Sequence, residues 1–477
     1  MKEERKTVWR KKAILGYILL LVYGVIFFLV AGEDIDYKTR ANTAPEAVDN
    51  IGEIVNNTDV VQVFESEDYK ITGLVISTSN YGHEEVKGDL HIGLYDSKGN
   101  KLQEIVKKSS ELVNGENTVY FPEGVRNEGK NEYEIRISAE GTAKDHSVTV
   151  QYGVKTEEET KLYINGEEKK NAQLTVSVIG KTKDVFGPVF RWIVIAVTAG
   201  LGIYLVYMMN AEKKGKMTFG MHMLNIFHEY NFLLEQLVMR DFKKRYKRSA
   251  LGIMWSFINP LLVMLVQYFV FSFIFRSNTE NYIVYLLTGI AFFNYYSECT
   301  NNGLLSITSN ASLITKVYVP KYIYPISTVL TMTINFGISL ILLALVALMT
   351  GVMPTVYLLM FPYAILCIAI LNVGATLILA AGMVFFRDVQ FIYSVFMTLL
   401  SYATPLFWNL TMMPEWVRKI LMINPLCAII TFARSCLLNP GYPGSMVTLL
   451  CLVVPTLILI LGGYVFKKTQ DSFVLYI

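Results

Sequence analysis

The residues best suited to chemistry lie on one basic helix predicted near the middle of the chain. Its apolar side chains recur every four residues, as one helical face requires: Leu234, Val238, Phe242 and Tyr246. Basic residues fill most positions around them. Arginine can bond a phosphate with two donors, and lysine adds charge. We predict that five side chains grip a phosphate group at a membrane surface: Arg240, Lys243, Arg245, Tyr246 and Arg248. Simple anchoring of the helix to anionic lipid is the alternative.

Glu298 is the single residue in the second half of the chain that most specifically indicates a functional site. It lies within an apolar run beside Asn301 and Asn302. An ionisable side chain inside a spanning helix is costly and usually faces protein or water. We predict that Glu298 lies near the mouth of a channel, and a satisfied packing contact is the alternative.

Aromatic residues crowd the same apolar runs: Tyr268, Phe269, Phe292, Phe293, Tyr295, Tyr296, Tyr393, Tyr402 and Trp408. Sugar rings have apolar faces that stack on aromatic rings, and their hydroxyls bond to polar tips. The pattern predicts that some of these residues, with Glu298, line a channel for a glycan. Helix packing and aromatic belts at the membrane interface are the alternative.

Several other kinds of site are disfavoured. The sequence contains no Gly-x-x-x-x-Gly-Lys-Ser/Thr phosphate loop, so the chain cannot bind ATP by that route. The five histidines show no metal-ligand spacing, and we expect no metal or other cofactor in this chain. Asp34 and Asp36 form an acidic pair that could hold a metal or act as a base in a membrane glycosyltransferase. An ordinary solvated linker is the alternative.

Hydropathy places these residues in a polytopic membrane protein. Hydrophobic residues make up 53% of the 477 positions. Runs of about 18 or more apolar residues, long enough to cross a bilayer, predict eight spanning helices. They cover roughly 13–31, 192–209, 250–276, 282–305, 323–350, 355–386, 389–408 and 445–466. A cleaved signal peptide is the rival interpretation of the first run, but no small-x-small cleavage site follows it.

The charge distribution predicts the orientation. Basic residues precede the first run and follow the second, at Lys213, Lys214 and Lys216, so both flanks should be cytoplasmic. Residues 32–187 should then be extracytoplasmic. They carry 29 acidic and 18 basic residues, whereas the rest of the chain is strongly basic. An even number of spans returns the C-terminus to the cytoplasm, in agreement with Lys467 and Lys468.

Short runs rich in Val, Ile, Leu and Tyr predict an all-β domain at 32–187. They lie near 60–64, 69–77, 89–95, 132–137, 147–152 and 173–178, with a hairpin turn at 96–100. Strands at this spacing predict a sandwich. All five cysteines lie outside the domain, so its own apolar core must stabilise it. The stretch 69–153 looks like the jelly-roll sandwiches that accompany bacterial cell-surface glycan enzymes and transporters. That resemblance would suit sugar binding; a spacer or assembly domain is the alternative.

Four motifs in the second half resemble one family. The run 240–255, RDFKKRYKRSALGIMW, is similar to a signature of the ABC-2 permeases that export O-antigen, capsule and teichoic acid. The segments 310–320, 385–389 and 404–408 with 413–414 and 424–426 resemble later motifs of that family in the same order. The resemblance covers roughly 220–470, and residues 1–215 lie outside the usual pattern.

That resemblance implies an ABC-2 exporter fold, with a six-helix core at 250–477. The remaining regions are a cytoplasmic start and first helix at 1–31, the β-sandwich at 32–187, a second helix at 188–209, and a linker with the basic helix at 210–249. The family resemblance also implies a permease homodimer with two ATPase subunits that bind ATP and magnesium. Cytoplasmic segments would receive motion from the ATPase through Asn310, Leu313, Lys316, Val319, Pro320, Arg387 and Asp388. Ser309 or Asn310 could cap a short helix there, and Pro320 could end it.

The most concrete functional prediction is therefore export of a polysaccharide linked to an undecaprenyl-type lipid across a bacterial plasma membrane. The chain would be a transporter subunit and not an enzyme. A membrane glycosyltransferase using Asp34 and Asp36 is one alternative. An ABC-2 exporter of drugs or small lipids is another, because that class shares the six-helix fold. A sensor is disfavoured because no signalling domain is evident.

Overall fold

The fold is that of a computed structural model, which describes residues 2–476 apart from 57, 81–82, 84, 128, 157–158, 248–250, 272–280, 317–318, 411–412 and 439–440. The chain divides into two compact units. A helical unit comprises Met1–Ile35 and Phe186–Ile477, and a β unit comprises Asp36–Val185. The predicted all-β domain is therefore confirmed, inserted between two N-terminal helices.

The β unit consists of two antiparallel sheets. Its strands are β1 Tyr37–Ala41, β2 Asp49–Asn50, β3 Asp59–Ser66, β4 Lys70–Ser79, β5 Asp89–Asp96, β6 Lys101–Lys108, β7 Gly115–Arg126, β8 Asn131–Glu140, β9 Thr149–Val154, β10 Lys161–Ile164, β11 Glu167–Glu168, β12 Ala172–Leu174 and β13 Val176–Lys183. One sheet has the order β1-β13-β4-β9-β12, with β7 also paired to β4 and β2 to β9. The other has the order β11-β10-β3-β8-β5-β6.

Apolar side chains from both sheets form a single core. Along β8, Tyr133, Ile135, Ile137 and Ala139 are buried, and the residues between them are more exposed. This alternation turns one face of each strand inward. Burial of each large aliphatic side chain contributes about 1.5–3 kcal/mol, which allows a domain without disulfides to fold.

The predicted hairpin turn joins β5 and β6. One oxygen of Asp96, Oδ1, accepts hydrogen bonds from the backbone N–H groups of Lys98 and Asn100, at 2.9 and 2.8 Å. Gly99 adopts a positive φ of 80°, which glycine accepts without strain. The sequence did not predict β6 or β7. Three of the four exposed positions of β6 carry charged side chains, Lys101, Glu104 and Lys108, as is typical of an edge strand, whereas the fourth is Val106, and this mixture obscures the alternation.

The helical unit contains fourteen described helices. They are α1 Lys2–Ala31, α2 Phe186–Lys213, α3 Phe219–Glu229, α4 Asn231–Tyr246, α5 Trp255–Phe269, α6 Tyr282–Leu304, α7 Ala311–Ile314, α8 Ile323–Met349, α9 Phe361–Phe385, α10 Val389–Ala403, α11 Glu415–Leu421, α12 Pro425–Leu437, α13 Ser445–Thr469 and α14 Phe473–Tyr476. The basic amphipathic helix predicted around Arg240 is α4.

Five of the described helical segments are long and apolar enough to cross a membrane: Arg10–Asp36, Phe186–Lys213, Ile323–Met349, Val356–Phe385 and Ser445–Tyr476. Each overlaps a predicted span. Two other predicted spans coincide with the 15-residue helices α5 and α10, and positions 250 and 272–276 of the predicted span 250–276 lie outside the described residues. Helix α6 has 23 residues, and polar side chains such as Asn294 and Glu298 lower its hydropathy.

The segment between α10 and α13, where no spanning helix is predicted, contains two further described helices. The second of them, α12, begins in a well-defined way. The side chain of Asn424 accepts a hydrogen bond from the backbone N–H of Leu426 at 3.1 Å, and Pro425 occupies the first turn. Both features favour a helix start. Most of α12 is buried in the core of the helical unit.

Two glycines allow α9 and α13 to pack backbone against backbone. A Cβ atom added to Gly462 would lie 2.3 Å from the carbonyl oxygen of Gly374. A Cβ added to Gly374 would lie 2.6 Å from the backbone nitrogen of Leu459. Contacts this short are not tolerated, so only glycine permits this approach.

The N-terminal helices belong to the same packed core as the later helices. Phe27 of α1 is buried and contacts the rings of Tyr363 and Phe432, with centroid distances of 5.4 and 6.4 Å. The hydroxyl of Tyr23 donates to the carbonyl oxygen of Met360 at 3.2 Å. On α2, Phe190 packs against Phe27. Helices α1 and α2 are thus integral to the helical unit.

Candidate functional site

An ion pair joins the basic helix α4 to α6. The Nη1 atom of Arg245 donates to Oε2 of Glu298 at 2.9 Å, and Nη2 donates to Oε1 at 2.6 Å. Each nitrogen bonds a different carboxylate oxygen, which is the two-pronged geometry that arginine offers to planar anions. The side chains are 38% and 33% exposed, so solvent reaches the pair. The sequence singled out both residues but assigned them to separate sites.

A first cavity of about 280 Å³ opens beside this pair, between α5, α6 and α8. Its α6 wall comes from positions 291, 294, 295 and 298, and its α8 wall from 332, 335, 336 and 339. Both sets follow the spacing of a single helical face. The lining includes amides and hydroxyls unusual for apolar helices: Ser256, Asn259, Asn294, Asn335 and Ser339. Such groups can form hydrogen bonds with a hydroxyl-rich ligand.

Aromatic rings form the other part of this lining. Tyr295 stacks on Phe336 with a centroid distance of 4.3 Å and an angle of 4° between the rings. The hydroxyl of Tyr295 forms a hydrogen bond with Oγ1 of Thr333 at 2.7 Å. Trp255 of α5 also lines the cavity. The first cavity therefore combines polar side chains, which can bond hydroxyl groups, with aromatic rings, which can stack on apolar faces.

A second cavity of about 690 Å³ lies between α4, the C-terminal end of α6 and α8. Three basic side chains, Arg240, Lys244 and Arg245, line it together with a single acidic one, Asp241. Ser306 also lines it and is only 3% exposed. The Ser306 hydroxyl has no hydrogen-bond partner within the described part of the chain. This cavity suits an anion that can also accept a hydrogen bond.

The ion pair lies where the two cavities meet. Arg245 lines both of them, as does Met332 of α8. The Nη1 atom of Arg245 is 3.5 Å from the Met332 sulfur. A ligand in the second cavity would therefore reach the first cavity past Arg245 and Glu298.

Arg240 links the basic helix to the segment that follows α6. Its Nη2 atom donates to Oδ1 of Asn310 at 3.1 Å, and it also pairs with Asp241 at 2.8 Å. The expected short helix exists as α7, but Asn310 does not cap it with its side chain, because the amide is held by Arg240 and by the carbonyl of Ser306. Helix α7 ends at Ile314, so Pro320 does not end it.

The remaining residues predicted at the entrance lie as follows. Lys243 is exposed on α4 and lines neither described cavity, whereas its neighbour Lys244 lines the second. Tyr246 is the last residue of α4. Arg248 falls outside the described residues.

Comparison with known proteins decides the family. A family model described as ABC-2 type transporter matches residues 233–438. An O-antigen export system permease protein, RfbA of Myxococcus xanthus, is 31% identical over 248 residues, which make up 52% of this chain and 95% of that protein. The chain belongs to the ABC-2 type transporter family.

Further ABC-2 relatives agree. The RfbA permease of Klebsiella pneumoniae is 29% identical over 259 residues, covering 52% of this chain and 98% of that protein. The polysialic acid transport protein KpsM of Escherichia coli is 24% identical over 248 residues, covering 50% and 93%. The ABC-2 match includes every residue named above as lining the two cavities. Membership in this family and the apolar helices make the chain a multi-pass membrane protein, as predicted.

Most of the aromatic residues predicted for a channel are packed within the ABC-2 unit, defined as the matched residues 233–438. Phe292, Tyr296 and Tyr393 are buried, and Tyr295 alone among the predicted set lines the first cavity. Tyr268 and Phe293 are partly buried. Phe269 and Tyr402 are exposed, at 62% and 72%, on apolar helices. Trp408 is partly buried and its carbonyl accepts a hydrogen bond.

The predicted coupling residues form two short connections in the ABC-2 unit. Leu313 and Val319 pack against a small core that includes residues of α4, α8, α9 and α13. Lys316 is exposed, and Pro320 is partly buried just before α8. Arg387 and Asp388 are exposed between α9 and α10.

The acidic pair Asp34 and Asp36 is not part of a recognisable metal site. The Asp34 carboxylate accepts a hydrogen bond from the Tyr357 hydroxyl at 3.3 Å. Among the described residues, which include Asp36, no cluster of metal-ligating side chains occurs.

The sequence analysis missed Arg434 of α12, which holds an irregular stretch of the ABC-2 unit in place. Arg434 is 7% exposed and donates to the carbonyl oxygens of Tyr285, Pro405 and Leu406, at distances of 2.5–3.2 Å. Its guanidinium lies 3.4 Å from the centroid of the Tyr285 ring. No sequence pattern around Arg434 signals this role, since its partners are carbonyls distant in sequence.

Two tyrosines complete the anchoring of that stretch. The hydroxyl of Tyr282 donates to the carbonyl of Phe407 at 2.6 Å, and that of Tyr285 donates to the carbonyl of Trp408 at 2.7 Å. Four consecutive carbonyls, from 405 to 408, are thereby satisfied by side chains. Within a membrane protein, non-helical backbone is tolerated only where the protein or water satisfies it.

Proposed function

We propose that the chain is the membrane-spanning subunit of an ABC exporter that moves a lipid-linked polysaccharide across the bacterial plasma membrane. The single observation that carries the proposal is the pair of adjoining cavities within the family match. The second cavity presents three basic side chains and one acidic side chain among amides and hydroxyls, whereas the first is lined by amides, hydroxyls and aromatic rings beside the ion pair. A lipid-linked glycan has the same two parts, a phosphate group and sugars.

The named relatives support the same substrate class. The Myxococcus and Klebsiella relatives are O-antigen export permeases, and KpsM is a polysialic acid transport protein. In this proposal the diphosphate of an undecaprenyl-type carrier enters the second cavity beside Arg245 and Lys244. The first sugars then contact Asn294 and Tyr295 in the first cavity. The proposed substrate class comprises O-antigen, capsule and teichoic-acid-like polymers.

ATP hydrolysis would occur on a separate subunit, which binds ATP and magnesium. The connections around Lys316 and Arg387 are proposed to receive its motion, because both residues are exposed and lie next to long helices. Arg240 would transmit this motion to the basic helix through its bond to Asn310. Two copies of the permease are proposed to pair with two ATPase subunits. The exposed apolar face of α10, including Phe391 and Val395, suits a second copy or surrounding lipid.

Depletion of the chain in its native cells distinguishes the candidate functions. If it is a glycan exporter, surface polysaccharide should fall and the completed lipid-linked polymer should accumulate inside, because synthesis continues without transport. Extraction of lipid-linked glycans and surface staining measure both quantities. A chain with Asp34→Asn and Asp36→Asn should restore export fully. Loss of polymer synthesis would instead indicate a glycosyltransferase, and unchanged glycan levels would favour an exporter of drugs or small lipids.

The proposed topology places the β unit outside the cell and both termini inside. Ser97 lies at the exposed β5–β6 turn, and Lys216 and Lys316 are exposed in the helical unit. A membrane-impermeant thiol reagent should label Ser97→Cys in intact cells, and should label Lys216→Cys and Lys316→Cys only after permeabilisation. The five native cysteines are buried, so the background should be low. Labelling of Lys316→Cys in sealed cells would contradict the orientation.

A further inference from the structure

We propose that Glu298 acts as a built-in competitor for the anion that binds Arg245. In the absence of ligand, the Glu298 carboxylate occupies the guanidinium of Arg245. A diphosphate entering the second cavity displaces it, and the exchange opens the passage to the first cavity. This inference rests on the proposed function and adds a mechanism of regulation at the same site.

The geometry of the ion pair supports an exchange of like for like. Both terminal nitrogens of Arg245 bond to Glu298, one to each carboxylate oxygen. A phosphate group offers arginine a matching pair of oxygens, and arginine binds both groups in the same two-pronged way. The carboxylate and an incoming phosphate would therefore compete for the same donors.

The position of the pair gives the exchange a consequence. Arg245 lines both cavities, whereas Glu298 lines only the first. When the two side chains are bonded to each other, they occupy the junction between the cavities. When Arg245 turns to an anion in the second cavity, Glu298 is released toward the amides of the first cavity, where Asn294 also lies on the same face of α6.

The strength of the pair is suited to exchange. With side chains 38% and 33% exposed, it should shift an equilibrium by no more than about fivefold, as measured for solvent-exposed pairs. A diphosphate would gain more than the carboxylate does, because other donors face the second cavity. Lys244 adds a positive charge, and Ser306 offers a buried hydroxyl that has no partner among the described residues. Ligand binding can therefore displace Glu298.

The test is the affinity of the purified full-length chain for inorganic pyrophosphate, measured by calorimetry in lipid nanodiscs. Glu298→Gln keeps the shape of the side chain but removes its charge, so the variant should bind pyrophosphate about three- to fivefold more tightly than the unmodified chain. Arg245→Lys should bind more weakly, since lysine cannot form the two-pronged contact.

Glu235→Gln is the matched control. Glu235 lies exposed on α4 and lines neither described cavity, so this variant changes the net charge equally without touching the pair. It should leave the affinity unchanged. Equal tightening in Glu235→Gln and Glu298→Gln would overturn the proposal, because general electrostatics would then explain both.

A double-mutant cycle makes the result specific to the pair. In an Arg245→Gln background, Glu298→Gln should tighten binding by less than twofold, because no cation remains at position 245 for the carboxylate and the anion to share. If Glu298→Gln does not fold, Glu298→Asp provides a second variant, with a shorter side chain and an intermediate expected gain. Unchanged or weaker binding in the folded Glu298 variants would overturn the competitor role. The depletion experiment in cells would still report separately on glycan export.

Discussion

Replacing Arg434 with leucine should destabilise the helical unit by about 3–5 kcal/mol. Arg434 satisfies three buried carbonyls and contacts the Tyr285 ring, and leucine can do neither. Leaving buried polar groups unpaired costs about 1–3 kcal/mol each, although relaxation recovers part of that cost. Thermal unfolding of the purified chain in detergent would measure the loss, and the melting temperature should fall clearly.

Arg418→Leu is the comparison for this experiment. Arg418 lies on α11 and is partly exposed, and its Nη2 atom donates to the carbonyl oxygen of Met413 at 3.3 Å. Its replacement should change stability by no more than about 1 kcal/mol. Arg434→Lys should fall between the two, since lysine keeps the charge but cannot reach all three carbonyls. An unchanged melting temperature in Arg434→Leu would show that Arg434 does not anchor the stretch at 405–408.

Gly462→Ala should also have a large effect, through packing. The new methyl group would lie 2.3 Å from the carbonyl oxygen of Gly374, so α9 and α13 must move apart. Overpacking of this kind typically costs about 1–3 kcal/mol. Helix α9 also contacts α6, where Oγ1 of Thr376 donates to the carbonyl of Cys299 at 3.3 Å, one residue after Glu298. Export should therefore fall together with thermal stability.

The neighbouring glycine provides a control in the same helix. A Cβ added to Gly463 would meet no atom within 4 Å. Gly463→Ala should be neutral or stabilise the chain by up to about 1 kcal/mol, because alanine favours a helix more than glycine does. Equal losses in the two variants would mean that helix propensity or lipid contact, and not the contact between α9 and α13, decides the outcome.

The sequence predicted the architecture well where a local pattern reports it. The five long apolar helices and the strand around Ile135 follow from hydropathy and alternation within a single segment. Strand β6 was not predicted, because its position at a sheet edge allows charged residues at exposed positions and weakens the alternation of apolar and polar residues. Helix α12 was not predicted from hydropathy, because its 13 residues are fewer than a spanning helix needs.

The candidate site could be predicted only residue by residue. The basic stripe of α4 and the isolated Glu298 were both visible, yet the bond between Arg245 and Glu298 joins positions 53 residues apart. The polar face of α8, with Asn335 and Ser339 four residues apart, was a usable signal. The sequence analysis did not identify this face, because two neutral polar residues in an apolar helix are a weaker signal than a charged residue. Arg434 is also a charge within an apolar run, but its partners are backbone carbonyls, which leave no trace in the sequence.

The two ends of the β unit lie side by side. Strand β1 pairs with β13 in an antiparallel register, with Tyr37 opposite Lys183, and the backbone N–H of Asp184 donates to the carbonyl of Asp36 at 2.7 Å. The preceding and following helices also contact each other, through the Tyr17 hydroxyl and the carbonyl of Thr198. The β unit is thus an insertion between the two helices of a hairpin, α1 and α2. A different domain with neighbouring ends could therefore be inserted at the same point without altering the path of either helix.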